Sequence, residues 1–89
     1  MTFNINKIRV PSNPGIYLMK DSDNQIIYIG KAKNLRKRVK SYFTKTQNYK
    51  TQKHVENIRD IEFVLTDNEN EAFLLESNMI KKYRPRFRS

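Results

Sequence analysis

Cysteine and tryptophan are absent from this chain of 89 residues, and histidine occurs once, at His54. Without cysteine there is no disulfide staple, no thiolate zinc site and no cysteine nucleophile. One histidine excludes a multi-histidine metal cage and leaves a Ser-His-Asp triad a single placement. His54 itself reads as a surface residue and is assigned no role. No apolar run approaches the ~20 residues a membrane span needs. The opening Met1 to Asn6 also lacks the apolar stretch of a signal peptide, so a cytoplasmic location with no membrane partner is expected. The length excludes a large doubly wound or barrel enzyme. It fits a single small domain over residues 1–89, with 37% apolar residues to build a core.

Acidic residues are scarce where basic ones gather. The balance is 18 Lys plus Arg against 9 Asp plus Glu, a net charge of +9. Residues 31–53 hold nine basic residues and no acid, and residues 81–89 hold five more without an acid. Between them, residues 60–76 carry six acids and no base. Two such basic segments on one surface suit a phosphate backbone. A solvated basic face or a membrane-surface helix would share the charge. The interleaving of Tyr42, Phe43 and Tyr49 with the cations favours nucleic acid, because bases stack on aromatic rings.

Pro11 and Pro14 bracket an extended entry. Gly15 to Met19 and Gln25 to Ile29 read as strands, joined through the turn-forming Lys20-Asp21-Ser22-Asp23-Asn24 into a hairpin. Leu35, Val39, Tyr42 and Phe43 recur with helical spacing behind Asn34, a suitable N-cap. A weaker helix is expected within Asn48 to Arg59, around Val55 and Ile58, and a third strand over Ile61 to Thr66. Thr66 and Glu69 are spaced as a capping box for a final helix that ends near Tyr83 or Arg84, before Pro85. The order β-β-α-α-β-α predicts an α+β domain with a small three-stranded antiparallel sheet flanked by helices.

A symmetric hairpin turn places Tyr17 opposite Tyr28 on one face, with Met19 and Ile26 further along it. Such a pair is either ordinary sheet packing or a functional pair. The two glycines flank the hairpin: Gly15 precedes the first strand and Gly30 ends the second. Each permits a backbone turn or a close approach by a ligand or another backbone. On the last helix, Ala72, Phe73, Leu75, Met79, Ile80 and Tyr83 define an apolar face with Glu76 near its middle. A buried carboxylate needs a cation, a hydrogen-bonded partner or a metal, so Glu76 is either a structural ion pair or a ligand for a hard cation. Arg38 sits at the edge of the first helix's apolar arc, one turn before Tyr42, and Lys31 extends that edge. Arg36, Lys37 and Lys40 point elsewhere, as phosphate contacts.

Gly15-Ile16-Tyr17, followed by Tyr28-Ile29-Gly30, resembles the signature of the GIY-YIG nucleases. Lys31 to Val39, Ser41 to Phe43, Asp60 to Phe63, Glu71 to Glu76 and Ile80 to Pro85 resemble the UvrC-type amino-terminal domain of that family. The resemblance runs from about Ile8 to Phe87. It implies phosphodiester hydrolysis with a single Mg²⁺ or Mn²⁺, cutting damaged double-stranded DNA on the 3′ side of a lesion together with UvrB. Carried over residue by residue, Tyr28 is the general base with Tyr17 beside it, and Glu76 holds the metal. Arg38 stabilises charge on the phosphate, while Lys31 and Tyr42 position it. A tyrosine base needs nearby positive charge to favour its phenolate. Lys33, Arg36, Lys37, Lys40, Lys81, Lys82 and Arg84 are the expected DNA contacts. The family pattern carries an Asn where this chain has Arg88. A complete protein of this type also carries further domains that 89 residues cannot hold. The chain is therefore expected to be an excised domain or a free-standing relative. Two alternatives are a non-catalytic nucleic-acid-binding module of the same fold and a structure-specific nuclease that needs no UvrB.

Overall fold

Asp21 organises the hairpin turn. Its carboxylate accepts hydrogen bonds from the backbone N–H of Asp23 (2.9 Å) and of Gln25 (3.0 Å), while Asn24 takes a left-handed conformation with φ 60°. Short polar side chains tolerate that conformation and satisfy the turn's amides. In the computed structural model, which describes residues 5–44, 55–85 and 87–88, the turn joins β1 (Gly15–Lys20) to β2 (Ile26–Ala32). Both strands run further than their sequence signals suggested, so Gly30 lies inside β2.

The pairing register is offset by two residues from the symmetric hairpin. Tyr17 pairs with Gly30 and Met19 with Tyr28, then the register shifts and Lys20 pairs with Ile26. Ile27 is thus an extra residue on β2, a β-bulge. An offset of two preserves side-chain parity, so Tyr17 and Tyr28 share a face as diagonal neighbours rather than as a direct pair. The bulge moves Ile27 onto their face and Ile26 onto the opposite one, which corrects the expected position of Ile26.

The helix α1 (Leu35–Thr44) follows β2. Asn34 caps it as expected, accepting from the Lys37 amide at 3.1 Å. Leu35, Val39 and Tyr42 are buried with Tyr17, Met19, Ile27 and Tyr28, so α1 covers the tyrosine face of the sheet. Residues 55–57 are helical and lead to buried Ile58. The rest of the helix expected within Asn48 to Arg59, with Tyr49 and His54, lies outside the described residues. β3 (Asp60–Leu65) then pairs antiparallel with β1 along its whole length. The antiparallel three-stranded sheet is therefore as expected.

The helix α2 (Glu69–Tyr83) packs on the other face, with Ala72 against Ile16, Leu18 and Ile29 and with Leu75, Met79 and Ile80 half-buried beside them. Each fully buried aliphatic side chain contributes roughly 1.5–3 kcal/mol. Its N-cap is Asn68, whose side chain accepts from the Glu71 amide at 2.9 Å, not Thr66. Thr66 is still tied into the sheet region by its amide, which donates to the Pro14 carbonyl (3.0 Å), so the chain there remains extended. Glu71 accepts from the amide of Asp67 (3.2 Å), the residue before the cap, so the Asn68/Glu71 pair closes the helix start two residues later than expected. Phe73 and Tyr83, assigned to the apolar face, are exposed. At the far end Arg84 adopts a left-handed C-cap and Pro85 stops the helix. A fourth strand that no pattern announced, β4 (Phe87–Arg88), runs parallel to β2 beside Tyr28 and Ile29. The sheet order is β3-β1-β2-β4. Among the described residues no helix is long and apolar enough to cross a membrane.

Candidate active site

Three tyrosines meet beneath α1. β1 and β2 present Tyr17 and Tyr28 on one face, and Tyr42, on the inward stripe of α1, drops between them. All three ring pairs have centroids 5.9–6.1 Å apart. The Tyr42 hydroxyl lies 2.9 Å from that of Tyr17 and donates to that of Tyr28 at 3.3 Å. With its one proton directed at Tyr28, Tyr42 accepts from Tyr17, and the hydrogen bonds run in one direction towards Tyr28. The Arg38 guanidinium stacks 5.2 Å from the Tyr42 ring centre, one turn earlier on α1.

Gly30 makes this cluster possible. A Cβ built there would sit inside the Tyr17 ring, against its Cζ and hydroxyl. Its backbone is ordinary β, so the glycine serves close approach, not turning, and the approaching group is a side chain. Gly15 is the first residue of β1, where a Cβ would collide with the Val64 carbonyl oxygen. It too is a close-approach glycine, admitting the β3 backbone.

Burial sets the protonation of the tyrosines. Burial first, and then Tyr42, push the Tyr17 phenol well above its ordinary value near 10. Burial and the hydrogen bond with Tyr42 push Tyr28 in the same direction. Arg38 lowers both and is outweighed. Arg38 alone therefore does not supply the positive charge that a tyrosine base needs.

The remaining predicted residues divide by position. Lys31 lies on the α2 side of β2, its ammonium 5.9 Å from the ring centre of Phe73. An open groove at the end of β2 is lined by Lys31, Lys33, Asn34, Lys37, Arg38 and Ser41, with Glu69 from α2 as its acid. Glu76 is 7% exposed, the one charged side chain buried among the described residues, and lies one helical turn past Phe73. Its layer is opposite that of the tyrosines. Arg36 is less free than expected, since its Nε donates to the Val10 carbonyl at 3.0 Å. Lys81, Lys82 and Arg84 are exposed at the far end of α2, roughly 20 Å along the helix from Glu69, so they do not line this groove. The Arg88 backbone pairs beside Ile29, which brings that position to the tyrosine strand. Sequence reasoning missed Lys7 and Arg9, which line a second groove with Arg36 and Lys40. Their only signal was charge ahead of the first strand.

Among the described residues no three His, Cys, Asp or Glu side chains gather. The donor set on offer to a cation is therefore one buried carboxylate completed by water and phosphate oxygens. That set fits a hard divalent ion such as Mg²⁺.

A hairpin opening on Gly15-Ile16-Tyr17 and returning through Tyr28-Ile29-Gly30, with an arginine-bearing helix on one face and a buried glutamate on the other, defines a GIY-YIG nuclease domain. The model of the UvrC-like GIY-YIG domain matches residues 13–89, and the chain belongs to that family. The UvrABC system protein C of Mesoplasma florum is 53% identical over 83 residues, covering 92% of this chain and 14% of that protein. That of Oenococcus oeni is 55% identical over 78 residues, covering 88% and 13%. This chain thus spans about one seventh of the relatives it matches. The crystal structure of the GIY-YIG N-terminal endonuclease domain of UvrC from Thermotoga maritima, bound to its catalytic magnesium, is similar to it. The TM-score is 0.84 and the identity 42%, over 97% of each chain. Variants of that domain with one tyrosine changed to phenylalanine, or one asparagine to alanine, have also been solved with the cation bound.

Proposed function

We propose that this domain hydrolyses a DNA phosphodiester through the tyrosine cluster, Arg38, Lys31 and Glu76. It is a divalent-metal-dependent endonuclease domain of UvrC type. The observation that carries the residue assignments is the hydrogen-bonded chain from Tyr17 through Tyr42 to Tyr28 beneath Arg38. In this reading Tyr28, as its phenolate, takes a proton from the attacking water as the water oxygen bonds phosphorus; the P–O3′ bond breaks and the O3′ takes up a proton from solvent. Tyr42, hydrogen-bonded to both Tyr17 and Tyr28, holds the Tyr28 hydroxyl in place. Arg38 offers a planar fork to the phosphate oxygens, and Lys31 offers a point charge from the next residue position beyond Gly30. Glu76 would hold the cation, which when bound supplies positive charge to the leaving oxygen and favours a Tyr28 phenolate. Magnesium in the Thermotoga maritima domain supports this assignment.

Membership of a UvrABC-type system supports DNA and UvrB as partners and the cytoplasm as the setting. The substrate in this reading is a lesion-bearing duplex cut on the 3′ side. The deciding experiment is nicking of such a duplex, with and without UvrB, across divalent metals. Glu76→Gln is expected to abolish nicking while melting temperature and DNA affinity stay near those of the parent. Undiminished cleavage, or a large loss of melting temperature, would show that Glu76 is a structural ion pair instead.

A further inference from the structure

The side chains of α1 divide into two arcs. Leu35, Val39 and Tyr42 are buried, and at about 100° per residue the opposite arc runs from Arg36 through Lys40 and Lys37 to Arg38. The Arg38 flank borders the groove at the end of β2, which also holds Lys31 and is called the catalytic groove below because the proposed reaction uses both residues. The Arg36 flank borders the second open groove, where Lys7 and Arg9 face Arg36 and Lys40, and no acidic residue lines it. The bond from Arg36 Nε to the Val10 carbonyl ties α1 to the segment carrying Lys7 and Arg9, so this groove has a fixed floor. A helix is about 10–12 Å across, and the major groove of B-DNA is about 12 Å wide.

We infer that α1 lies in the major groove with a phosphate track on each flank: the cut strand in the catalytic groove and the complementary strand along Lys7, Arg9, Arg36 and Lys40. The inference rests on the DNA-endonuclease reading above. It gives the domain a reason to prefer duplex, since a single strand offers only one backbone and leaves the second groove empty.

The test compares the parent with a Lys7→Ala/Arg9→Ala double variant, each titrated against a short duplex and against one of its strands over a salt series. Both side chains are exposed, so the fold should survive, and a thermal melt checks this. On duplex, each phosphate deprived of its cation lowers the log–log salt slope by about 0.9, so the double variant should lower it by about 1.8. The single-strand slope should not change, and Lys7→Arg/Arg9→Lys should restore parental behaviour on duplex. An unchanged duplex slope, or equal reductions on duplex and single strand, would overturn the two-track arrangement and leave only a general basic field. A parent that binds neither DNA would overturn the endonuclease reading itself, and this inference with it.

Discussion

Gly30→Ala should destabilise the domain through Tyr17 and through nothing else. The new methyl would occupy the space of the Tyr17 ring, and that ring is 1% exposed, enclosed by the core it shares with Met19 and Tyr28. Overpacking a tight core costs about 1–3 kcal/mol. Displacing the ring also breaks its 2.9 Å hydrogen bond to Tyr42, worth about 1 kcal/mol. Against this, replacing glycine in a strand gains about 0.5–1 kcal/mol of unfolded-state entropy. The net loss is roughly 1–3 kcal/mol, or about 5–20 °C of melting temperature for a domain of this size. Urea denaturation should be run on a double-mutant cycle with Tyr17→Ala. Once the ring is gone the methyl has room, and Gly30→Ala should become neutral or slightly stabilising, a coupling of about 1–3 kcal/mol. Equal losses in both backgrounds would refute the steric argument and return Gly30 to a backbone role.

Two further outcomes follow from the tyrosine cluster. Tyr42→Phe keeps the ring beneath Arg38 but removes the central hydroxyl, so nicking should fall with little change in DNA affinity, and urea stability should drop by about 1–2 kcal/mol; undiminished cleavage would exclude Tyr42 from the chemistry. Tyr17 and Tyr28 have folded-state values raised above their unfolded value, so their contribution to stability is fully present below about pH 10 and is lost as pH rises from there. Two such groups remove about 2 kcal/mol of stability between pH 10 and 11, Tyr17→Phe should halve that loss, and a flat stability over this range would contradict their burial as protonated phenols.

Much of the fold was legible because local chemistry and long-range packing agree in most places. Asn34, the spacing of Leu35, Val39 and Tyr42, and Pro85 each fixed a helix end or face that the structure keeps. Two of the failures share a cause: a competing backbone partner that sequence does not display. Thr66 was displaced as a cap because its amide is held by Pro14, and Asn68 took the place. The hairpin register slipped by two because the turn at Asp21 closes on Gln25 and β2 absorbs Ile27 as a bulge. β4, with two residues, carries no period to detect. Phe73 and Tyr83 fitted a helical wheel, but a small sheet covers a narrower arc than the wheel allows, and both face out.

The site was legible where one residue was anomalous and hidden where geometry alone makes the group. Glu76 stood out as a carboxylate on an apolar stripe, and it is buried. The direction of the tyrosine shifts was not readable, since it depends on three rings excluding water together, and burial outweighs Arg38. Strand alternation then restricts where catalysis can occur. Tyr28 and Lys31 lie three apart on β2, and an odd separation sends their side chains to opposite layers, one under α1 and the other beside α2. In the proposed site, a phosphate that meets both side chains would lie at the edge of β2 and not on either face. The basic groove begins beside that stretch of β2, with Lys31 and Lys33 in its lining together with Arg38 from α1.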